Sequence, residues 1–384
     1  MSKTVLCGLD VGTSKVCCAI AEQSPESGVA LTGLAWVPQR GVRDGYIVDL
    51  DSVTDAIAEA VTQAEAEAHV RVRQCLVSVS VPHIQSRRVR GLIPLADHGL
   101  EIRTRDIERV QSQAELAVVA LDRAILHSIP LQFAVDGQLE VSDPVGLLGR
   151  QLAVELHLLT CPQLAVQNLT KAVQLAGLEV QQHVYSGVAS AQALLTPTLR
   201  EQTVLVLDIG AGLTDIIVMR QGHLLAATTL ASGGDNLSRA VIQSHKVQPD
   251  EAETLKREAI LSLAGSLTAL LKRESQQLLR HLVTTTHAVL GELEAEAILL
   301  TGRTVLMDGF LELAEAAFGR PVQLGRVTLP PRYLGREPSL TAVTALGLIA
   351  SAFQDASPAR PSRDDARWPR RLLVKARELY EDYF

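Results

Sequence analysis

Hydrophobic and polar residues change their spacing several times along this chain, and each change marks an element. Val5 to Leu9 is an apolar run closed by Asp10; Val11-Gly12-Thr13-Ser14-Lys15 follows, then a second apolar run from Val16 to Ala21 and a third from Val29 to Val37. Short apolar runs bounded by turn residues read as buried strands, so this is a hairpin with a third strand added. Near Asp51-Ser52 the spacing becomes helical. Val53, Ile57, Val61, Ala64 and Ala68 form one face, and Glu59, Gln63 and Glu67 lie on another. Alternation returns from Leu76 to Val81 and stops at Pro82. Much later the opening pattern recurs. Val204 to Leu207 ends in Asp208; Ile209-Gly210-Ala211-Gly212-Leu213-Thr214-Asp215 follows, then strands from Ile216 to Arg220 and from Leu224 to Leu230. A supersecondary unit has been duplicated.

Between the copies, residues 82 to 160 follow another plan. They read as a strand (Arg88 to Leu95), a helix (Thr104 to Leu121) and two strands (Ile125 to Val135, Gln151 to Thr160), with turns at Asp136-Gly137 and Asp143-Pro144-Val145-Gly146. A helix from Pro162 to Ala176 stops at Gly177, and another spans Ser186 to Leu195. After the second copy, helical patterns open at Ser232-Gly233-Gly234-Asp235 and cover Asp250 to Leu263 and Leu267 to Leu290. Ala297 to Thr301 is a buried strand ending at Gly302, and Ser339 to Phe353 an Ala-rich helix. Residues 354 to 366 have no periodicity and read as a linker.

With 384 residues and 47% hydrophobic content there is room for two lobes, their cores built from aliphatic residues because aromatics are only 3%. The net charge of −7 argues against bulk binding to nucleic acid or anionic lipid, although a local basic patch could still do either. Arg71, Arg73, Arg87, Arg88, Arg90, Arg103 and Arg105 cluster without interleaved aromatics, so they read as a solvated face or a subunit contact. Cys7, Cys17, Cys18, Cys75 and Cys161 are odd in number, lack metal-ligand spacing and fall in apolar runs: buried free thiols in a reducing compartment. Asp10 and Lys15 interrupt the first apolar stretch, which is therefore a strand and not a signal peptide, and no window is long enough to span a membrane. A cytoplasmic location is expected.

The repeated turn carries the chemistry. Glycines let backbone N–H groups approach a phosphate closely, and the adjoining carboxylate suits Mg²⁺, which takes oxygen ligands and keeps its waters. Two such hairpins facing each other would hold a nucleotide polyphosphate from both sides. Either copy alone reads equally as an ordinary β-hairpin.

Taken together, these residues resemble the actin-like ATPase superfamily and, within it, the FtsA family of bacterial cell division. The hairpins resemble the superfamily's phosphate loops, and Ile298 to Gly302 its adenosine loop. His83 to Ser86, His127 to Gln132, Val135-Asp136-Gly137 and Asp143 to Gly149 resemble the family's 1C subdomain, as Gly45 to Asp49 matches another of its patterns. The resemblance implies an α/β fold: an actin-like (ribonuclease H-like) duplicated two-lobe architecture. Residues 1–81 and 161–200 would form the first lobe, 82–160 the 1C insert, and 201–353 the second lobe with a small upper subdomain at about 232–286. It also implies ATP and Mg²⁺ as ligands. Asp10 and Asp208 would sit near the metal. Gly12, Thr13, Ser14 and Lys15 would line one side of the phosphates, and Gly210, Gly212, Leu213 and Thr214 the other. Glu253 and Lys256 match the ribose- and adenine-contacting helix, although by pattern alone they read as a solvated helix face. Gly302 matches the adenosine loop, where Arg303 replaces the usual second glycine. No residue is marked as a catalytic base, so slow or absent hydrolysis is expected.

Residues 367–384 form an amphipathic tail. From Pro369 a helix about 24 Å long would align Trp368, Leu372, Ala376, Leu379 and Tyr383, widened by Leu373, Tyr380 and Phe384 and flanked by Arg370, Arg371, Lys375 and Arg377. Such a helix suits an anionic membrane surface; docking on the protein's own body, or binding a partner helix, is the alternative. The FtsA resemblance implies a protein that polymerises and tethers the division ring to the cytoplasmic face of the inner membrane at midcell. Its partners would be the FtsZ C-terminal tail, further copies of itself and other division proteins. Two other readings remain at this level: the PilM family of pilus assembly, which has a similar insert, and a small-molecule kinase of the same superfamily.

Overall fold

The structure, a computed structural model, describes residues 4–24, 28–96, 98–117, 120–330, 333 and 336–355. Each expected hairpin lies at the centre of a five-stranded sheet. The first runs Glu179–Tyr185, Gln74–Val79, Thr4–Val11, Lys15–Ser24, Gly28–Pro38. The second runs Gln323–Leu324, Ala297–Thr301, Thr203–Ile209, Thr214–Arg220, His223–Leu230. In both, the hairpin and its third strand are antiparallel, while the fourth and fifth strands join parallel. The register repeats as well. Asp10 lies opposite Cys17 and Asp208 opposite Asp215, and the turns close at Val11–Val16 and Ile209–Thr214.

Helices cover the sheets, which is why the central strands are apolar without alternation. Leu50–Ala68 is capped by Asp49, whose side chain accepts from the Ser52 N–H, and it buries Val53, Ile57, Val61, Ala64 and Ala68 against the first sheet. Gly33 permits that approach, since a Cβ there would meet the Ala64 carbonyl. The expected helix over Ser339 to Phe353 is instead two, Arg336–Thr341 and Val343–Asp355. The break at Ala342 lets the first piece hold Glu337 beside Arg303, while the second packs on the first sheet over Gly8 and against the helix Ser186–Leu194. The helix expected from Asp250 to Leu263 spans Pro249–Glu258, because Leu261 leaves it to donate its N–H to the Asp308 carbonyl at 2.9 Å.

Residues His83–Val166 form a separate compact unit. Its antiparallel sheet runs Gln138–Val141, Arg123–Val135, Gln151–Pro162, Gln85–Pro94. The helix Thr104–Leu116, shorter than expected, covers one face over Val89, Ile93, Leu152, Val154 and Leu156. Asp136 (φ 50°) and Gly137 (φ 84°) make the expected two-residue turn.

All five cysteines are buried and free; burial pushes the Cys17 thiol up to about 12 and Cys161 up to about 11, so neither is a thiolate near neutral pH. Among the described residues no helix is long and apolar enough to cross a membrane. Most of the expected linker and all of the 367–384 helix lie outside the described residues.

Candidate functional site

The two turns are built alike. In the first, the Gly12 N–H donates to the Lys15 carbonyl at 2.9 Å; in the second, the Gly210 N–H donates to the Leu213 carbonyl at 2.9 Å. The outer carbonyls are tied down from behind. Buried Gln39 donates its Nε2 to the carbonyls of Gly12 and Thr13 and accepts from the Gly41 N–H at 2.7 Å. In the second turn the same task falls to a helix start: Gly234 N–H donates to Gly210 at 3.0 Å, and Asp235 N–H to Ala211 at 2.8 Å. With their carbonyls held, the amides of Thr13, Ser14, Ala211 and Gly212 make no hydrogen bond among the described residues. The turns also lie close together: a Cβ on Gly212 would stand 2.9 Å from Thr13 Oγ1 and 3.3 Å from Asp44 Oδ1. Four unpartnered donors on two adjacent glycine turns suit a phosphate chain.

Two carboxylates flank these turns. Asp10 pairs with Lys15 Nζ at 2.8 Å and accepts from Ser78 Oγ at 2.7 Å. Burial, the largest single influence, works against the Lys15 ammonium, but Asp10 together with Cys17 and Asp208 lifts the pKa above its ordinary value. Asp208 accepts from Ser190 Oγ at 2.6 Å and more weakly from Thr344 Oγ1 at 3.5 Å; burial raises its pKa, and Asp10 adds to the rise. Among the described residues no cluster of three or more His, Cys, Asp or Glu forms. Two carboxylates are nevertheless enough for Mg²⁺, which commonly takes one or two from protein and the rest from phosphate and water.

A third carboxylate, Asp215, was missed by sequence reasoning. It is 4% exposed, and its Oδ1 accepts from Ser80 (2.7 Å), Thr229 (2.7 Å) and Tyr185 (3.1 Å). Burial pushes its pKa up to about 7, against the pull of those hydroxyls. Thr214, expected on the phosphates, spends its hydroxyl on the Ser232 carbonyl at 2.7 Å.

The remaining expected residues gather beside the second turn. Lys256 is buried and contacts Glu253 Oε2 at 2.6 Å and Ser238 Oγ at 3.0 Å, so it does not sit on a solvated face. Burial, the largest single influence, would raise the Glu253 pKa, but Lys256 together with Ser238 and Arg303 holds the carboxyl low. Gly302 has φ 88°, and a Cβ there would meet the Ile209 carbonyl and stand 2.8 Å from Asp208 Oδ1. Arg303 swings to Glu337 at 2.8 Å, and Thr304 Oγ1 donates to the Gly210 carbonyl at 2.8 Å. Thr301, opposite Asp208 on the neighbouring strand, is fully buried and its hydroxyl has no partner among the described residues. The site thus keeps unspent amides, a buried hydroxyl and two carboxylates around a glycine cradle. These residues fit a nucleotide with its cation.

Two family models match: "SHS2 domain inserted in FTSA" over residues 82–160 and "Cell division protein FtsA" over residues 205–345. The cell division protein FtsA of Pseudomonas aeruginosa is 30% identical over 349 residues, covering 84% of this chain and 83% of its own. The chain belongs to the FtsA family. It is an actin-like cell-division protein. FtsA of Bacillus subtilis is 28% identical over 373 residues, 91% of this chain and 83% of its own. Among solved structures, the PilM-PilN type IV pilus biogenesis complex aligns with a TM-score of 0.68 at 21% identity, over 92% of this chain and 99% of that one. MreB 5 of Spiroplasma citri bound to AMPPNP aligns at 0.51 and 10% identity, over 93% of this chain and 98% of that one. These structural likenesses show the actin-like fold and nothing finer.

Gln39, Ser78, Ser190 and Thr304 were also missed. Each acts through a partner distant in sequence, and the signal for Asp215 was its place inside the second motif.

Proposed function

We propose that this FtsA-family protein binds ATP with Mg²⁺ between its two glycine turns and tethers the FtsZ division ring to the cytoplasmic face of the membrane at midcell. The observation that carries the nucleotide reading is the set of four unpartnered turn amides flanked by Asp10 and Asp208. Thr13, Ser14, Ala211 and Gly212 would hold phosphate oxygens through their amides, Lys15 would supply a cation, and Asp10 and Asp208 would hold the metal through water. Glu253, Lys256 and the Gly302 turn would meet the nucleoside. Bound Mg²⁺ would neutralise phosphate charge. Gln39 and the start of the helix Gly234–His245 keep the turns in shape for that contact, and no residue of the site is assigned as a base.

Residues 367–384 would lie in an anionic membrane surface, with the FtsZ tail received by residues 232–286. A single helix of this kind binds weakly, so a polymer carrying many of them would hold through avidity. Calorimetry of the full chain should detect ATP uptake that reversing the charge of both Asp10 and Asp208 abolishes; uptake indifferent to that change would refute the nucleotide reading. Deleting 367–384 should release the protein from anionic liposomes, and equal sedimentation of both forms would refute the tether. A fluorescent fusion should form a midcell band in dividing cells; a pilus-base focus would favour the PilM-like reading.

A further inference from the structure

The arginines set aside as a solvated face include a strand edge of unusual form. Gln85–Pro94 pairs along its whole length with Gln151–Thr160 and has no neighbour on its other side among the described residues. Such an edge presents a row of backbone donors and acceptors to any extended chain. One is capped from within: the Leu92 N–H points outward and donates to Gln113 Oε1 at 3.1 Å. By the two-residue period of a strand, the N–H groups of Arg88 and Arg90 point the same way.

Beside this edge runs the helix Thr104–Leu116, drawn close because a Cβ on Gly91 would stand 2.6 Å from the Val110 carbonyl. Along this helix lies a groove of about 760 Å³ that meets the strand at Ile93 and is otherwise lined from the helix, by Arg105, Glu108, Arg109, Gln113 and Leu116 among others. An open edge strand with a helix and its groove alongside is a geometry in which a peptide adds as an extra strand. Main-chain bonds then give affinity, and alternate side chains give specificity.

The charge on the page selects the occupant. Arg87, Arg88 and Arg90 are exposed on a strand that itself carries no acid, against one acid on the paired strand, Glu155, which lies opposite Arg90 and 3.9 Å from Arg88. Arg105 and Arg109 line the groove itself, with Glu108 the acid among its lining residues and Arg109 already paired with Asp106 at 3.0 Å. Leu116, 83% exposed, supplies an apolar contact beside Ile93, which is itself buried. We infer that this groove binds an extended acidic segment of another protein, which pairs with Arg88 and Arg90 and sets an apolar side chain against Leu116. A second copy of the same edge is disfavoured, since it would bring two arginine rows together. This inference lies within residues 83–117 and does not depend on the nucleotide reading.

The test is selection of displayed random decapeptides on the full-length protein, followed by fluorescence anisotropy of the synthesised winners. Expected winners carry acidic residues at alternate positions, lose at least tenfold in affinity to Arg88→Glu/Arg90→Glu, and slow amide exchange at Arg88 and Arg90 in the unmodified protein. Arg90→Pro, tolerated on an edge whose N–H faces outward, should also block binding. The double charge reversal alters only exposed side chains, so it remains informative if the proline variant fails to fold. Winners without acids, winners that bind as helices, unchanged affinity for the charge-reversed variant, or no winners at all would each overturn the proposal. So would charge-sensitive self-association without peptide binding.

Discussion

Replacing Asp215 with Asn isolates the carboxyl that burial perturbs most clearly. Its pKa rises from 3.8 to about 7 on folding, so over that interval the folded chain holds a proton that the unfolded chain has released. Stability from this group is therefore full below its unfolded pKa and is lost as pH rises through about 7. A shift of about three pH units, at about 1.4 kcal/mol each, amounts to about 4 kcal/mol over the whole interval, of which about 2.5 kcal/mol falls between pH 5 and pH 8. Asparagine keeps an oxygen for Ser80, Tyr185 and Thr229 but cannot ionise. Urea unfolding of both proteins at the two pH values gives the comparison, because other titrating groups cancel in the double difference. The unmodified protein should lose about 2.5 kcal/mol more than Asp215→Asn on going from pH 5 to pH 8. Parallel pH profiles would mean that Asp215 ionises as freely in the folded state as in the unfolded one, and the argument from burial would fail.

Gly302→Ala forces a side chain into φ 88° against the Ile209 carbonyl and should cost about 2 kcal/mol, read as a lowered Tm; an unchanged Tm refutes the close approach. Asp10→Asn strips the carboxylate from Lys15, whose side chain is only 13% exposed, and should cost about 3 kcal/mol in urea unfolding, with a loss below about 1 kcal/mol counting against the pair. Thr301→Val removes a hydroxyl that bonds nothing among the described residues, so stability in urea unfolding should hold within about 0.5 kcal/mol. A destabilised Thr301→Val protein would show that the hydroxyl already has a partner.

The parts of this molecule written in local pattern were legible in the sequence. Apolar runs ending in Asp10 and Asp208 predicted both hairpins, and the stripe from Val53 to Ala68 predicted a helix that buries those same residues. Boundaries failed where tertiary bonds override local preference. Leu261 leaves a helical pattern to pair with Asp308, and Ala342 breaks an Ala-rich run so that its two ends can serve different neighbours. At the site, residue types within the motifs were visible, but their partners were not. Gln39, Ser78 and Ser190 lie in unremarkable stretches, and only folding brings them to the turns and carboxylates they hold.

Duplication accounts for much of that hidden geometry and shows where the halves diverged. Ser78 stands on the fourth strand of the first sheet and Thr301 on the fourth strand of the second, each beside its own aspartate. Ser78 donates to Asp10, whereas Asp208 takes its bond from Ser190 on a helix and Thr301 is left unpartnered among the described residues. The turns differ in the same sense. Lys15 closes the first and neutralises Asp10; Leu213, its counterpart, closes the second and leaves Asp208 to be buried with raised pKa. A cation placed between the turns would meet one carboxylate already matched and one still seeking positive charge. On the proposed reading the second half would hold the greater share of unmet demand, and Lys15 of the first, whose charge also reaches Asp208, would supply the fixed positive group.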